Sequence, residues 1–414
     1  MLKDQHGFSL VELIVTMAIF IVVVMISSDS FNLILKQSSR LMHSEESNIE
    51  GMIGLEQLRH DLQQAGFGIP YEFPATAPVY AEAANTPAST YNDAPSGIPR
   101  AFSSGNNLAG ISDSGSETGN TYNVVDGTDY LVIRGSSVGR GNTPQRWTYI
   151  NYSSDSPKPH VWPSAAENIK NNAWSIVLNR VFSNGTYTNR LVVDGAIADV
   201  TDKLYFATTY NPNFLGSNNF APKSPNEVHF VYGIVDGDDL RMPFNRTDYF
   251  VSKPSKIGSM PSACAPKTGI LYKTTVNHGD GKLSYIPIVD CVADMQVIYG
   301  WDLKNGGVAG TDGLIDTYSN ADGSGVLGEA TGSEVTTALG DAASIRANLK
   351  VVKVYLLVQN GRKDLNYTSP SPIALGDVGE LSLSRNYTLT SDMLNYRWRV
   401  QRIIVRPKNL TSNQ

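Results

Sequence analysis

Gly135-Ser-Ser137-Val-Gly139 has the spacing of a nucleophile elbow and comes directly after a strand-like run, Tyr130-Leu-Val-Ile-Arg134. An elbow also needs a helix directly after it, so that the serine is held at the top of a sheet. The next residues are Arg-Gly-Asn-Thr-Pro144, which form turns, so a glycine-rich turn is the favoured reading. The histidines, His6, His43, His60, His160, His229 and His278, are scattered and make no HExxH pair, which leaves a zinc site without support. Asp302, Asp312, Asp316 and Asp322 fall in a stretch rich in Gly and Asn. Hard oxygen donors on a loop have the chemistry to hold calcium. The spacing does not match an EF-hand, and Asp with Gly is ordinary turn composition. Asp302, Asp312 and Asp316 are weak calcium candidates, no other cofactor is expected, and neither is enzymatic activity.

Glu12 is the carboxylate in the least ordinary setting. It lies within Phe8–Ile26, a run that is apolar except for Ser9, Glu12 and Thr16, and that comes after the polar heptapeptide MLKDQHG. As a helix the run reaches roughly 28 Å, close to the hydrocarbon thickness of a bilayer. A carboxylate there costs a few kcal/mol and usually has a partner. A secretory signal is cut at small residues after its apolar region. Here the polar break precedes the run, at Gly7-Phe8.

The helix should continue past the membrane. Leu41, Glu45, Ile49, Met52, Leu55, Leu58, Leu62 and Ala65 recur at spacings of three and four, an amphipathic stripe. Gly66, Gly68 and Pro70 supply the stop. Gly51 and Gly54 weaken the interior by about 1 kcal/mol each relative to alanine and predict local bending. From Tyr71 to Gly127 the composition reads as long loops or a partly ordered excursion. Strand-like runs are Tyr130–Arg134, Trp174–Phe182, Arg190–Val193, Leu204–Thr208, Val228–Val235, Ile270–Val276, Leu283–Val289, Met295–Tyr299, Leu349–Val358 and Tyr396–Val405. Val352, Val354, Leu356 and Val358 share one strand face. In the last run Tyr396, Trp398 and Val400 alternate with polar residues, but Ile403 and Val405 fall on the other parity, which predicts a bulge near Gln401. Asp236-Gly237 reads as a hairpin turn leading to Leu240. The fold class is α+β: a long N-terminal helix packed on a large β-rich head.

GFSLVELIV resembles the type III signal of type IV pilins and pseudopilins. The resemblance implies cleavage between Gly7 and Phe8 by a prepilin peptidase, methylation of the Phe8 amine, and pairing of Glu12 with the N-terminal amine of a neighbouring subunit during assembly. Three further patches resemble the PilW family: Leu58-Arg-His-Asp61-Leu-Gln-Gln-Ala65-Gly66-Phe67, Val292-Ala-Asp294-Met-Gln-Val-Ile-Tyr299-Gly300-Trp-Asp302, and Arg397-Trp-Arg-Val-Gln-Arg-Ile-Ile-Val-Arg406. The chain then divides into a leader (1–7), a transmembrane half-helix (8–28), an amphipathic half-helix (29–68), a loop-rich β region (69–225) and a β-rich C-terminal part (226–414). A minor pilin of a type IV pilus is expected, acting in filament initiation or a tip complex, because so large a head suits a tip better than a thin shaft. Its implied partners are other minor pilins, the major pilin and a PilY-type tip adhesin. Its implied location is the inner membrane, single-pass with a periplasmic head, and then the extracellular filament. The alternatives are a J-type minor pseudopilin of a type II secretion system and a filament-tip adhesin using the Tyr71–Gly127 excursion.

Cys264 and Cys291 are the sole cysteines. An even pair in an exported chain reads as one disulfide, against the alternative of two buried thiols. A net charge of -6 and a pI near 5.6 give no global footprint for nucleic acid, and none is expected as a partner. The abundant tyrosines are read first as strand core, and only second as an adhesive surface.

Overall fold

The computed structural model describes residues 10–115, 119–155, 157–183, 186–213, 218–237 and 239–411. A single helix, α1, runs unbroken from Leu10 to Gln64, through Gly51 and Gly54. Its stop is the expected one. Gly66 and Gly68 take left-handed φ of 80° and 63°, which glycine adopts without steric cost. Gly66 N then donates to Arg134 O at 2.8 Å.

Past α1 the chain is β-rich. Its principal strands are β1 (Phe102–Leu108), β2 (Thr128–Gly135), β3 (Trp147–Asn151), β4 (Trp174–Ser183), β5 (Thr186–Leu191) and β6 (Val228–Val235). They continue with β7 (Asn245–Pro254), β8 (Gly269–Val276), β9 (Leu283–Trp301), β10 (Thr317–Asn320), β11 (Leu349–Asn360) and β12 (Arg397–Val405). Antiparallel pairing gives a large sheet in the order β1–β2–β7–β8–β9–β10, with β11 and then β12 added beside β9. The long strand β9 makes this arrangement: Leu283–Val292 pairs with β8, and Val292–Trp301 pairs with β11. A smaller sheet has the order β3–β6–β4–β5.

The large sheet is covered on both faces. On one face Leu58, Leu62 and Ala65 of α1 join Val352, Val354 and Leu356 of β11 and Ile403 and Val405 of β12 in one buried cluster. On the other face residues 361–396 cover Tyr355 and Leu357 with Leu375, Leu383, Leu389 and Met393. The small sheet meets the end of α1, where Phe67 packs edge-on against Tyr232 at 5.3 Å between ring centroids.

Several expectations are corrected. β12 pairs with β11 in unbroken register from Val352↔Val405 to Asn360↔Arg397, so there is no bulge at Gln401. The parity shift arises because Trp398 and Val400 are covered by the 361–396 segment, while Ile403 and Val405 face the main core. Asp236-Gly237 is not a hairpin turn, because both edges of β6 are already taken by β3 and β4. Leu204–Thr208 is not one strand: Lys203–Phe206 is helical, started by the Asp202 carboxylate accepting from Leu204 N. The Arg190–Val193 run is displaced, since β5 ends at Leu191 in a hairpin with β4. The Tyr71–Gly127 segment is no loose excursion, for it contains β1 and lies against the sheet. Met52 is exposed, whereas Leu58 and Leu62 are fully buried. The side chains of Leu41, Glu45 and Ile49 lie outside the described residues. The sheets also run across residue 225, since β2 pairs with β7 and β4 pairs with β6.

Candidate functional site

The first part of α1 has nothing of the head against it. Leu10–Ser28 forms a span with mean hydropathy 2.8, none of it buried. Leu13, Ile14, Met17, Phe20, Ile21 and Val24 are among its exposed side chains. An apolar cylinder of this length is stable only when lipid or other helices cover it. Within it Thr16 satisfies its own hydroxyl, donating to Leu13 O at 3.0 Å. Glu12 lies in the first turn of α1 and is exposed among the apolar side chains. Negative charge is favoured at that end of a helix. Gly7 and Phe8, the expected cleavage and methylation positions, lie outside the described residues.

The last part of α1 is fixed to the head by three devices. The first is close approach. A Cβ at Gly54 would collide with the backbone carbonyl of Ile288 in β9, so glycine is needed there for packing rather than for bending. The second is a buried ion pair. The Asp61 carboxylate, 3% exposed, accepts from Tyr249 Oη at 2.7 Å and lies 2.5 Å from Lys273 Nζ. His60 Nδ1 sits 3.5 Å from the same carboxylate, and that hydrogen bond raises the His60 pKa. The third is the C-terminal tail. Lys408 N donates to Gln63 O at 3.1 Å and Asn409 Nδ2 donates to it at 3.2 Å, satisfying a carbonyl at the helix end.

Cys264 and Cys291 form a disulfide with Cα atoms 5.0 Å apart. Cys291 takes a left-handed φ of 55° where β9 passes from β8 to β11. Such a backbone costs on the order of 1–3 kcal/mol and persists only when its surroundings enforce it. The crosslink therefore holds the bend in β9 three residues beyond the Ile288 contact with α1.

A second charged group lies on the opposite face of the same strands. Arg134 of β2 and Arg246 of β7 both reach Glu82 Oε2, each at 3.0 Å. Arg246 is also bidentate to Asp248, at 2.8 Å on each oxygen. Tyr130 Oη donates to Asp248 at 2.6 Å. Glu82 Oε1 accepts from Asp93 N and Ala94 N. Burial alone would raise the Glu82 carboxyl, but the two guanidiniums outweigh it and hold its pKa below the ordinary value. Arg246 Nη2 donates to Ala88 O at 2.7 Å and Nη1 to Asn92 Oδ1 at 2.7 Å, so the group clamps residues 79–100 onto the sheet.

The other candidates have structural uses. Ser137 lies in a three-residue 3-10 turn, Ser136–Val138, and no histidine is bonded to it among the described residues. His278 accepts from Arg241 N and bonds Asn245 Oδ1 at 3.0 Å; burial pushes its pKa down to about 4. His229 bonds Phe220 O, and His160 stacks on Tyr149. His6 lies outside the described residues, as does the side chain of His43. Asp302 accepts from Asp312 N and Gly313 N and faces Lys350 Nζ at 3.2 Å. Asp316 accepts from Leu303 N and Lys304 N, Asp312 from Leu314 N, and Asp322 from Ser324 N. These carboxylates organise turns, and no group of three or more His, Cys, Asp or Glu is assembled for a metal among the described residues.

Asp61 had a visible signal: it is an acid on the buried stripe, three residues after Leu58 and four before Ala65. The clamp on residues 79–100 had none, because its partners come from three distant segments.

Comparison with known families fits this geometry. Residues 2–28 match the model described as the prokaryotic N-terminal methylation motif. An exposed apolar helix that carries this motif and is joined to a β-rich head defines a pilin. Residues 248–409, from β7 through β12, match the model described as Type IV Pilus-assembly protein W. The two matches support a PilW-type minor pilin of a type IV pilus with a prepilin-type N-terminus. Neither the curated proteins nor the solved structures provide a match.

Proposed function

We propose that this minor pilin acts in initiation or in the tip complex of its filament. The observation that carries this reading is a mismatch of scale within one chain. Among the described residues a single apolar span, Leu10–Ser28, is joined through Asp61, Lys273 and Gly54 to a head that extends over residues 69–411. Shaft subunits must crowd their heads around a thin rod, and a head of this size suits the end of one.

On this reading a prepilin peptidase cuts between Gly7 and Phe8, and the new Phe8 amine is methylated. The helix waits in the inner membrane with its head outside the cytoplasm. Glu12 then pairs with the amine of a neighbouring subunit, which removes the cost of a carboxylate among apolar side chains. Other minor pilins and the major pilin supply the helices that cover Leu10–Ser28, and a PilY-type adhesin is the proposed cargo. The clamp on residues 79–100 supports assembly over adhesion for that segment, because it is fixed into the head and is not free to reach a ligand.

The test compares Glu12→Ala with a deletion strain, tracking N-terminal processing and the content of sheared filaments. Normal cleavage with the subunit missing from filaments is expected. Unchanged incorporation would mean that contacts of the head, and not Glu12, place the subunit.

A further inference from the structure

The last strand, β12, has one partner. It pairs with β11 over its whole length, and among the described residues its other edge meets no strand. Among the described residues, no backbone group of 397–405 makes a backbone hydrogen bond outside that pair. The strand is nine residues long and carries neither proline nor bulge, two of the devices that ordinarily blunt an edge. On the face of the sheet, a groove of about 480 Å³ separates the Gly51–Gln57 stretch of α1 from Pro287–Asp290 of β9, Val358 and Gln359 of β11, and Arg399 and Gln401 of β12.

The side chains along this edge are of one sign. From Arg397 to Lys408 stand Arg397, Arg399, Arg402, Arg406 and Lys408 with no acidic residue, in a chain whose net charge is -6. Arg397 and Arg402 are tied to Asp364 and Asp377. Arg399, Arg406 and Lys408 are exposed, and none is held in an ion pair among the described residues. Two copies of this edge laid side by side would oppose cation to cation, which destabilises a strand pair. Cations alone would also suit a phosphate polymer, but a free ladder of N–H and C=O groups at strand repeat is matched only by another polypeptide backbone.

We propose that the free edge of β12 accepts an extended acidic segment of a partner polypeptide as an added strand, with Arg399 at the centre of its charge selection. The test uses the full chain in detergent micelles and a fluorescein-labelled nine-residue peptide of alternating Glu and Val, matched to the strand length. Expected are saturable binding by anisotropy and slowed amide exchange confined to residues 397–405. Arg399→Glu, at an exposed site, should weaken binding by about tenfold or more, and Arg399→Lys should retain it. N-methylation of alternate peptide amides, which leaves every charge in place, should abolish binding. Absence of binding at about 1 mM peptide overturns the proposal. So does equal binding of the N-methylated peptide, which would reduce the site to charge attraction, and so does oligothymidine binding more tightly than the peptide.

Discussion

β7 carries two kinds of seat on its two faces. Tyr249 points towards α1 and meets an apolar stripe with one ion pair in it, Asp61 with Lys273. Arg246, Asp248 and Phe250 point the other way, towards residues 79–100, and meet them through charge and stacked rings: Tyr130 lies 4.8 Å from Phe250 and 4.8 Å from Tyr91. Away from Gly54 the apolar seat tolerates adjustment, since its attraction is non-directional and scales with area. The charged seat does not. Each of its buried ions is costly alone and stable only with every partner in place. A helix that must transmit a membrane-bound span to a head and an irregular segment that must simply stay closed are thus held by different physics.

The difference between the two seats is greatest at Arg246. Arg246→Met leaves Glu82 short of one cation and Asp248 without its bidentate partner, and should cost about 3–5 kcal/mol. Urea unfolding of the detergent-solubilised chain measures it as a lowered midpoint. Replacing Glu82, Arg246 and Asp248 together by apolar residues of similar volume should recover much of that loss. If the single change is as mild as a surface substitution, the charged seat is no less tolerant than the apolar one.

The same contrast explains which parts were legible. The helix and its stop, β6 and the inward face of β11 were readable because burial there repeats with the period of the element. β7 was not, since Asn245-Arg-Thr-Asp248 is polar yet buried on both faces. Its satisfaction comes from Glu82, 164 residues away in sequence. β1, Phe-Ser-Ser-Gly-Asn-Asn-Leu, looks like a turn by composition and is a strand because β2 supplies its ladder. Glu12 and the prepilin signal stood out for the opposite reason: a charge in an apolar run violates the local pattern.

The disulfide tests whether the bend in β9 belongs to the apolar seat. Replacing Cys264 and Cys291 by serine should lower stability by about 3–4 kcal/mol for a loop closed over a separation of 27 residues. If the bend positions Ile288 against α1, limited proteolysis should also find a new cut near residues 51–57. Loss of stability without that cut would confine the crosslink to the sheet.

Acid should weaken the head through two buried groups in turn. His278 has a folded pKa of about 4, below its unfolded value near 6.5. Its neutral form therefore favours the fold fully above about pH 6.5, and that contribution falls away as the pH drops towards about 4, by about 3 kcal/mol in all. Glu82, held below the ordinary carboxylate range, contributes stability that is present above about pH 4.3 and is lost only under more acid conditions. Unfolding measured from pH 7 to 4 should slope downward in the native chain and lie flatter in His278→Gln.

The finest discrimination lies in two glycines one turn apart on α1. Gly54 sits against the Ile288 carbonyl, a backbone atom that cannot rotate away, so Gly54→Ala must displace helix from strand. A cost of about 1–3 kcal/mol is expected. Gly51 has room: its added methyl would meet only Val289 Cγ1, at 3.9 Å. Gly51→Ala should therefore gain up to about 1 kcal/mol from helix propensity alone. Opposite signs at the two positions, read as unfolding midpoints in the same detergent, would show that the apolar seat has one point of close contact and that its position is set by backbone, not by side-chain volume. Equal stabilisation at both would mean that α1 rides clear of β9, leaving Asp61 and Lys273 as the groups that hold the helix to the head.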